Sequence, residues 1–177
     1  KELKKHITVV LSGEGADELF GGYGRIFVSY IDFLRQNNKN YLDFFLQKYN
    51  YVKDQDIDKI LSKRVKNRIF QKKYTRLIFK RYFDRIRNLD VKDKPLYIFQ
   101  NLHLQGLLQR LDTTTMASSV EGRVPFVDDH NLVEFINEVP FEYKIRWKDA
   151  ESAKTAQDKN LKPDQISEKL DTTKYLL

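Results

Sequence analysis

Between Ile7 and Gly24 the chain reads Ile-Thr-Val-Val-Leu-Ser-Gly-Glu-Gly-Ala-Asp-Glu-Leu-Phe-Gly-Gly-Tyr-Gly, and no other stretch constrains the fold as much. Ile7, Val9, Val10 and Leu11 form a short apolar run rich in β-branched residues, which predicts a fully buried strand over residues 7–11. Ser12-Gly13-Glu14-Gly15 turns the chain, because glycine accepts backbone angles that other residues resist. From Ala16 a helix begins, with Asp17 and Glu18 in the first turn, where the helix dipole favours acids. A strand, a glycine turn and a helix start in this order describe the carboxyl edge of a parallel sheet, a common place for phosphates to bind.

The turn has two readings. As a nucleotide and metal site, its freed N–H groups approach phosphate oxygens, and one carboxylate among Glu14, Asp17 and Glu18 completes a Mg²⁺ shell with them. As local structure, Asp17 and Glu18 only favour the helix start. Glu14, between two glycines, has no such dipole role.

The rest of the chain reads as helical. Helices are expected from Asp17 to about Gln36, with Phe27, Tyr30, Ile31 and Leu34 inward, and over Tyr41 to Tyr49. A long pattern from Asp54 to about Asn88 has no Gly or Pro to stop it. Its apolar side is Ile57, Leu61, Val65, Ile69, Tyr74, Leu77 and Ile78. Pro95 opens a helix over Leu96 to Leu108, and Asp128 or Asp129 caps another through Val139, closed by Pro140. A turn is expected near Trp147, a short helix from Ala150 to Gln157, and a last helix after Pro163. No second strand matches residues 7–11 in quality. A buried parallel strand needs neighbours and cover on both faces, so further strands are expected from outside these residues. The apolar end Tyr175-Leu176-Leu177 suggests the same.

The length of 177 residues suits one domain, and no apolar stretch is long enough for a transmembrane helix. Without Cys there are no disulfides, Cys-based metal sites or Cys nucleophile, which fits a cytoplasmic location. His6, His103 and His130 are scattered and read as surface or satisfied buried residues. The net charge of +7 is concentrated: residues 59–87 hold twelve Lys or Arg and a single acid, Asp84. Phe70, Tyr74, Phe79, Tyr82 and Phe83 are interleaved with these cations. That pattern suits a nucleic-acid surface, a docking face for an acidic domain, or a solvated basic helix with core aromatics. Helical spacing favours the last, so nucleic acid is not the expected partner. Between Arg110 and Asp128, the groups Asp112, Glu121, Arg123 and Asp128 could orient a substrate. The favoured alternative is a buried ion pair of Arg123 with a neighbouring carboxylate, fixing the turn before Pro125.

Three segments carry a family resemblance. Leu11 to Tyr23 resembles a signature of the asparagine synthetase family, in its ATP-dependent synthetase domain. Leu111 to Asp128 (Leu-Asp-Thr-Thr-Thr-Met-Ala-Ser-Ser-Val-Glu-Gly-Arg-Val-Pro-Phe-Val-Asp) resembles that family's run of Asp, Met-Ala, Glu-x-Arg-x-Pro-Phe and Asp. Asp171 to Leu177 resembles its Lys-centred segment, and the three occur in the family's order. The resemblance implies an α/β, adenine-nucleotide α-hydrolase-like synthetase domain. Residues 1–177 would be its mostly helical second half. The family's upstream Ser-Gly-Gly-x-Asp-Ser pyrophosphate loop and its glutaminase domain, with an N-terminal Cys, do not occur here. The piece alone is therefore expected to be inactive.

The implied chemistry uses ATP and Mg²⁺. Aspartate attacks the α-phosphorus of ATP to give β-aspartyl-AMP and pyrophosphate, and ammonia from the glutaminase domain displaces AMP. Carried over by residue, Ser12, Gly13 and Glu14 contact the nucleotide, Asp17 ligates Mg²⁺, Glu14 is the catalytic carboxylate and Lys174 stabilises pyrophosphate. Thr113 stands where the family often carries a basic residue. The acid therefore stays open between aspartate and another small carboxylate, since related domains make β-lactams or amidate other acids. A homodimer is compatible with the sequence.

Overall fold

The computed structural model describes residues 2–36, 40–52, 54–66, 71–147, 149–151, 154 and 172–174. After a 3-10 turn at Leu3–Lys5, strand β1 (Val9–Leu11) lies parallel to β2 (Glu121–Arg123), in the register Val9↔Glu121, Val10↔Gly122 and Leu11↔Arg123. This second strand was not expected. It is three residues long and reads Glu-Gly-Arg, with no apolar residue to announce it. Its pairing is a long-range contact that no local pattern reports.

The strand β1 is also shorter and barer than expected: Val9 is 44% and Leu11 70% exposed. β-Branched residues suit an extended backbone whether or not a layer covers them, so composition foretold the strand but not its burial.

The expected helix from Asp17 to Gln36 is three pieces: α1 (Ala16–Phe20), α2 (Gly24–Phe27) and α3 (Ser29–Arg35). Gly21 breaks it at φ 81°, a left-handed conformation that favours glycine. Phe27 is fully buried, whereas Leu34 points outward at 65% exposure. Helix α4 (Tyr41–Tyr49) forms as expected, and the Asn40 side chain caps it by accepting from the Asp43 N–H at 3.3 Å.

The long expected helix from residue 54 is likewise divided, into α5 (Asp54–Ile60), α6 (Lys63–Lys66) and α7 (Gln71–Arg85). Ser62 restarts it by accepting the Val65 N–H at 3.4 Å. Helix α7 carries apolar residues on two faces. Phe79 and Phe83 enter the core, with Ile86 just beyond, while Tyr74, Leu77 and Ile78 remain exposed. The larger aromatic face won the core, since burial scales with apolar area. Ile69 and Phe70 lie outside the described residues.

The next helix is longer than expected. It runs as α8 (Lys94–Ile98), a π-helical segment (Phe99–His103) and α9 (Leu104–Met116), with Pro95 in its first turn. Helices α2, α3, α4, α7 and α8 and the π segment enclose the main core around Phe27, Phe45 and Phe99. Rings meet edge to face, Phe27–Phe99 at 5.0 Å and Phe45–Phe83 at 5.4 Å between centroids.

A smaller core holds Ala16, Leu19, Phe20 and Ile136. It joins α1 to α10 (Pro125–Asp128) and α11 (His130–Glu138). Asp129 is the cap of α11, accepting from the N–H groups of Asn131 (2.9 Å) and Leu132 (3.2 Å).

Helix α12 (Phe141–Lys144) leads into β3 (Ile145–Trp147), where a turn was expected. Strand β3 pairs antiparallel with β4 (Thr172–Lys174), an interaction between distant segments. Ala150, Glu151 and Lys154 are helical; residues 155–157 and the helix expected after Pro163 lie outside the described residues. Among the described residues no helix is long and apolar enough to cross a membrane.

Candidate nucleotide-binding site

The parallel pair sets the first motif's turn against the second motif. The Ser12 N–H donates to the Arg123 carbonyl at 2.8 Å, and the Glu121 N–H donates to the Thr8 carbonyl at 2.8 Å. Ser12 is held by the strand that precedes Pro125, and its Oγ accepts from the Glu14 N–H at 3.3 Å. Gly13 is exposed, and a Cβ there would meet nothing within 4 Å, so the crest of the turn opens onto free space. Gly15 is different. Its φ is 94°, and a Cβ would collide with Val127 Cγ1, so α10 closes directly on the turn. Gly122 similarly lets β2 lie on α9, where an added Cβ would stand 3.2 Å from Thr115 Oγ1.

Glu14 is held by a residue not singled out from the sequence. Arg110, on α9, donates to Glu14 Oε1 at 3.1 Å. Its position one residue before the second motif was the available signal. Asp17 occupies the hollow above Gly22, where a Cβ would collide with its Oδ1. The N–H groups of Gly21 and Gly22 both donate to the Asp17 carbonyl, at 3.0 and 2.9 Å. Thus Ser12, Gly13, Glu14 and Asp17 lie on one turn and helix start. Lys174 has its backbone in β4, which lies beside α2, and the role expected of its side chain falls outside the described residues.

The second motif braces rather than lines the turn. Arg123 pairs with Glu121 at 2.6 Å, but both are more than half exposed. The expected buried pair is therefore a surface pair, because β2 turns these alternating side chains outward. Asp128 Oδ2 accepts from the Val124 N–H at 3.3 Å and secures the turn at Pro125. Asp112 is exposed on α9.

Behind the turn stands a polar chain that sequence reading missed. Glu18 is only 1% exposed, and the Tyr23 phenol donates to its Oε1 at 2.7 Å. Gln100 donates to the Glu18 carbonyl at 3.4 Å. Burial, and then the Glu18 bond, push the Tyr23 phenol far above its ordinary range, so it stays a donor. His103 stands edge-on to Tyr23, with 5.4 Å between centroids, and its Nδ1 bonds to the Tyr49 hydroxyl at 2.8 Å. Burial holds its pKa below the ordinary histidine value, while the Glu18 charge opposes that shift. His103 is thus the satisfied, partly buried histidine expected of it.

ATP and Mg²⁺ fit this donor set. The open crest at Gly13 leaves room for a phosphate chain. Asp17, at the start of α1, is the carboxylate that would hold an ion shared with substrate phosphates.

Comparison with known proteins bears on the same region. The asparagine synthase family matches residues 1–173. The glutamine-hydrolyzing asparagine synthetase 1 of Bacillus subtilis is 30% identical over 205 aligned residues, covering 100% of this chain and 28% of that protein. Asparagine synthetase 3 of the same organism is 29% identical over 146 residues, covering 82% of this chain and 22% of that protein. A putative asparagine synthetase of Mycobacterium tuberculosis is 78% identical over 23 residues, 13% of this chain and 4% of that protein. The chain spans about a quarter of the length of the two Bacillus relatives. No solved structure matches it.

Proposed function

The chain belongs to the asparagine synthase family, and from that premise we propose that it forms the second half of an α/β, adenine-nucleotide α-hydrolase-like domain that adenylates a carboxylate and amidates it. One observation carries this reading. Pairing of β1 with β2 joins the two motifs so that Glu14, on an open glycine turn, faces Arg110. Aspartate is the favoured acid, since the relatives matched are named asparagine synthetases. Thr113 lies one turn beyond Arg110 on α9, so the departure from the family's basic residue falls on the helix that holds Glu14.

In the first step a β-carboxylate oxygen of aspartate bonds to the α-phosphorus of ATP, and pyrophosphate leaves. In the second, ammonia bonds to the acyl carbon, AMP leaves with the carboxylate oxygen, and the nitrogen gives up a proton. Ser12 and Gly13 contact the nucleotide, and Glu14 is placed to accept that proton, held in position by Arg110. Mg²⁺, held by Asp17 and phosphate oxygens, would supply charge neutralisation at the phosphates. Lys174 would stabilise the pyrophosphate. Ammonia would come from a glutaminase domain, and the cytoplasm is the proposed compartment.

Pyrophosphate release by the full-length protein tests the reading, with ATP, Mg²⁺ and ammonium and with or without aspartate. Aspartate-dependent release with matching asparagine is the expected result. Release that depends on another acid would redirect the substrate assignment, and no release with any carboxylate would overturn the adenylation reading.

A further inference from the structure

A cavity of about 340 Å³ opens between α2, the end of α4 and the π segment. Its size is at the lower end of small-molecule sites. Tyr23, Arg25, Lys48, Tyr49, Phe99 and His103 make its walls, with the exposed Tyr51 at its mouth. None of Ser12, Gly13, Glu14, Asp17 or Arg110 takes part.

Two features define what it would hold. The first is charge. Among the described residues no carboxylate lines the cavity, while two cations do. Lys48 is balanced by the buried Asp32, 3.4 Å away. Arg25 is exposed and donates one N–H, to the Lys48 carbonyl at 3.2 Å, with no carboxylate partner among the described residues. Since a guanidinium has five N–H donors, Arg25 leaves one positive charge and several donors facing solvent at the rim. The second feature is shape. Tyr23, Phe99, Tyr49 and His103 form a tight aromatic group, with Tyr23–Phe99 at 4.6 Å and Phe99–His103 at 4.7 Å between centroids. Flat walls of this kind take a planar ring by stacking or edge contact.

Burial raises the Tyr49 phenol and lowers the His103 imidazolium, so both partners of the 2.8 Å hydrogen bond between them stay neutral.

We propose that this cavity is a second small-molecule site, for a planar aromatic monoanion such as an aryl carboxylate. The ring lies against the half-buried Tyr23 and Tyr49, and the carboxylate meets Arg25. A bound ring touches Tyr23, whose hydroxyl is held by Glu18 on the helix of the nucleotide turn.

The test uses benzoate as the probe, titrated into the full-length protein and followed by saturation-transfer NMR, with benzamide and acetate as comparators. Benzoate is expected to bind about tenfold or more tightly than either, because benzamide lacks the charge and acetate the ring. Arg25→Gln and Tyr51→Ala change exposed residues and leave the fold intact. The first is expected to weaken benzoate about tenfold, the second by a smaller factor, while Arg110→Gln leaves binding unchanged. No benzoate binding, equal binding of benzamide, or loss through Arg110→Gln rather than Arg25→Gln would overturn the proposal. The adenylation reading rests on pyrophosphate release and stands or falls separately.

Discussion

The glycine turn and the aromatic core lie side by side and are specified by opposite means. Around Phe27, Phe45 and Phe99 the chain is held by volume: many rings fill a closed space, with few special backbone angles. Around Ser12 to Asp17 it is held by absences. Gly15 and Gly22 lack the Cβ atoms that would strike Val127 and Asp17, and Gly13 leaves its crest open. A filled region tolerates local variation in pattern as long as the total apolar volume is kept. A region defined by missing atoms tolerates almost none. The difference separates the turn, where the proposed chemistry would sit, from the helices that hold the core.

Substitutions can break this contrast in order of effect. Phe27→Ala removes a fully buried ring and should cost about 3–5 kcal/mol, read by chemical denaturation. A cost below 1 kcal/mol, on the order of a surface change, would show that the core is not where stability resides. Gly15→Ala should cost about 1–3 kcal/mol from the left-handed backbone alone, with the collision against Val127 added. Adding Val127→Ala relieves the collision but not the backbone strain, so the double variant should recover only part of the loss. Full recovery would mean that φ at residue 15 carries no cost.

The smallest effect concerns His103, which joins the two regions. Its folded pKa lies below the unfolded value of 6.5. As pH falls through 6.5 the unfolded chain takes up this proton first, so stability declines until the lower folded value is reached. His103→Gln should flatten the dependence of unfolding free energy on pH in that window. An unchanged slope would remove His103 as its source.

The turn was legible because its signal is local. Apolar β-branched residues, two spaced glycines and an acidic helix start fall within a dozen positions. The partner strand was not legible, because Glu121-Gly122-Arg123 gains its extended form from pairing across the chain and from the close approach of α9. Strand β3 escaped notice for the same reason, its partner being β4. Along α7 the periodicity announced a helix but could not choose between its two apolar faces. The core took Phe79 and Phe83, so those aromatics are not available to stack on bases. At the candidate site, the gathering of Ser12, Gly13, Glu14 and Asp17 on one turn and helix start could be read in advance, whereas the Arg110–Glu14 and Glu18–Tyr23 bonds depend on how the elements pack.

The most direct test of the whole account compares Glu14→Gln with the wild-type full-length protein, measuring asparagine formation and thermal unfolding on the same samples. We expect formation to fall about 100-fold or more, the usual range for loss of a positioned proton acceptor, with the unfolding midpoint little changed. Activity and stability falling together, or activity surviving intact, would contradict a catalytic role for the carboxylate on this turn.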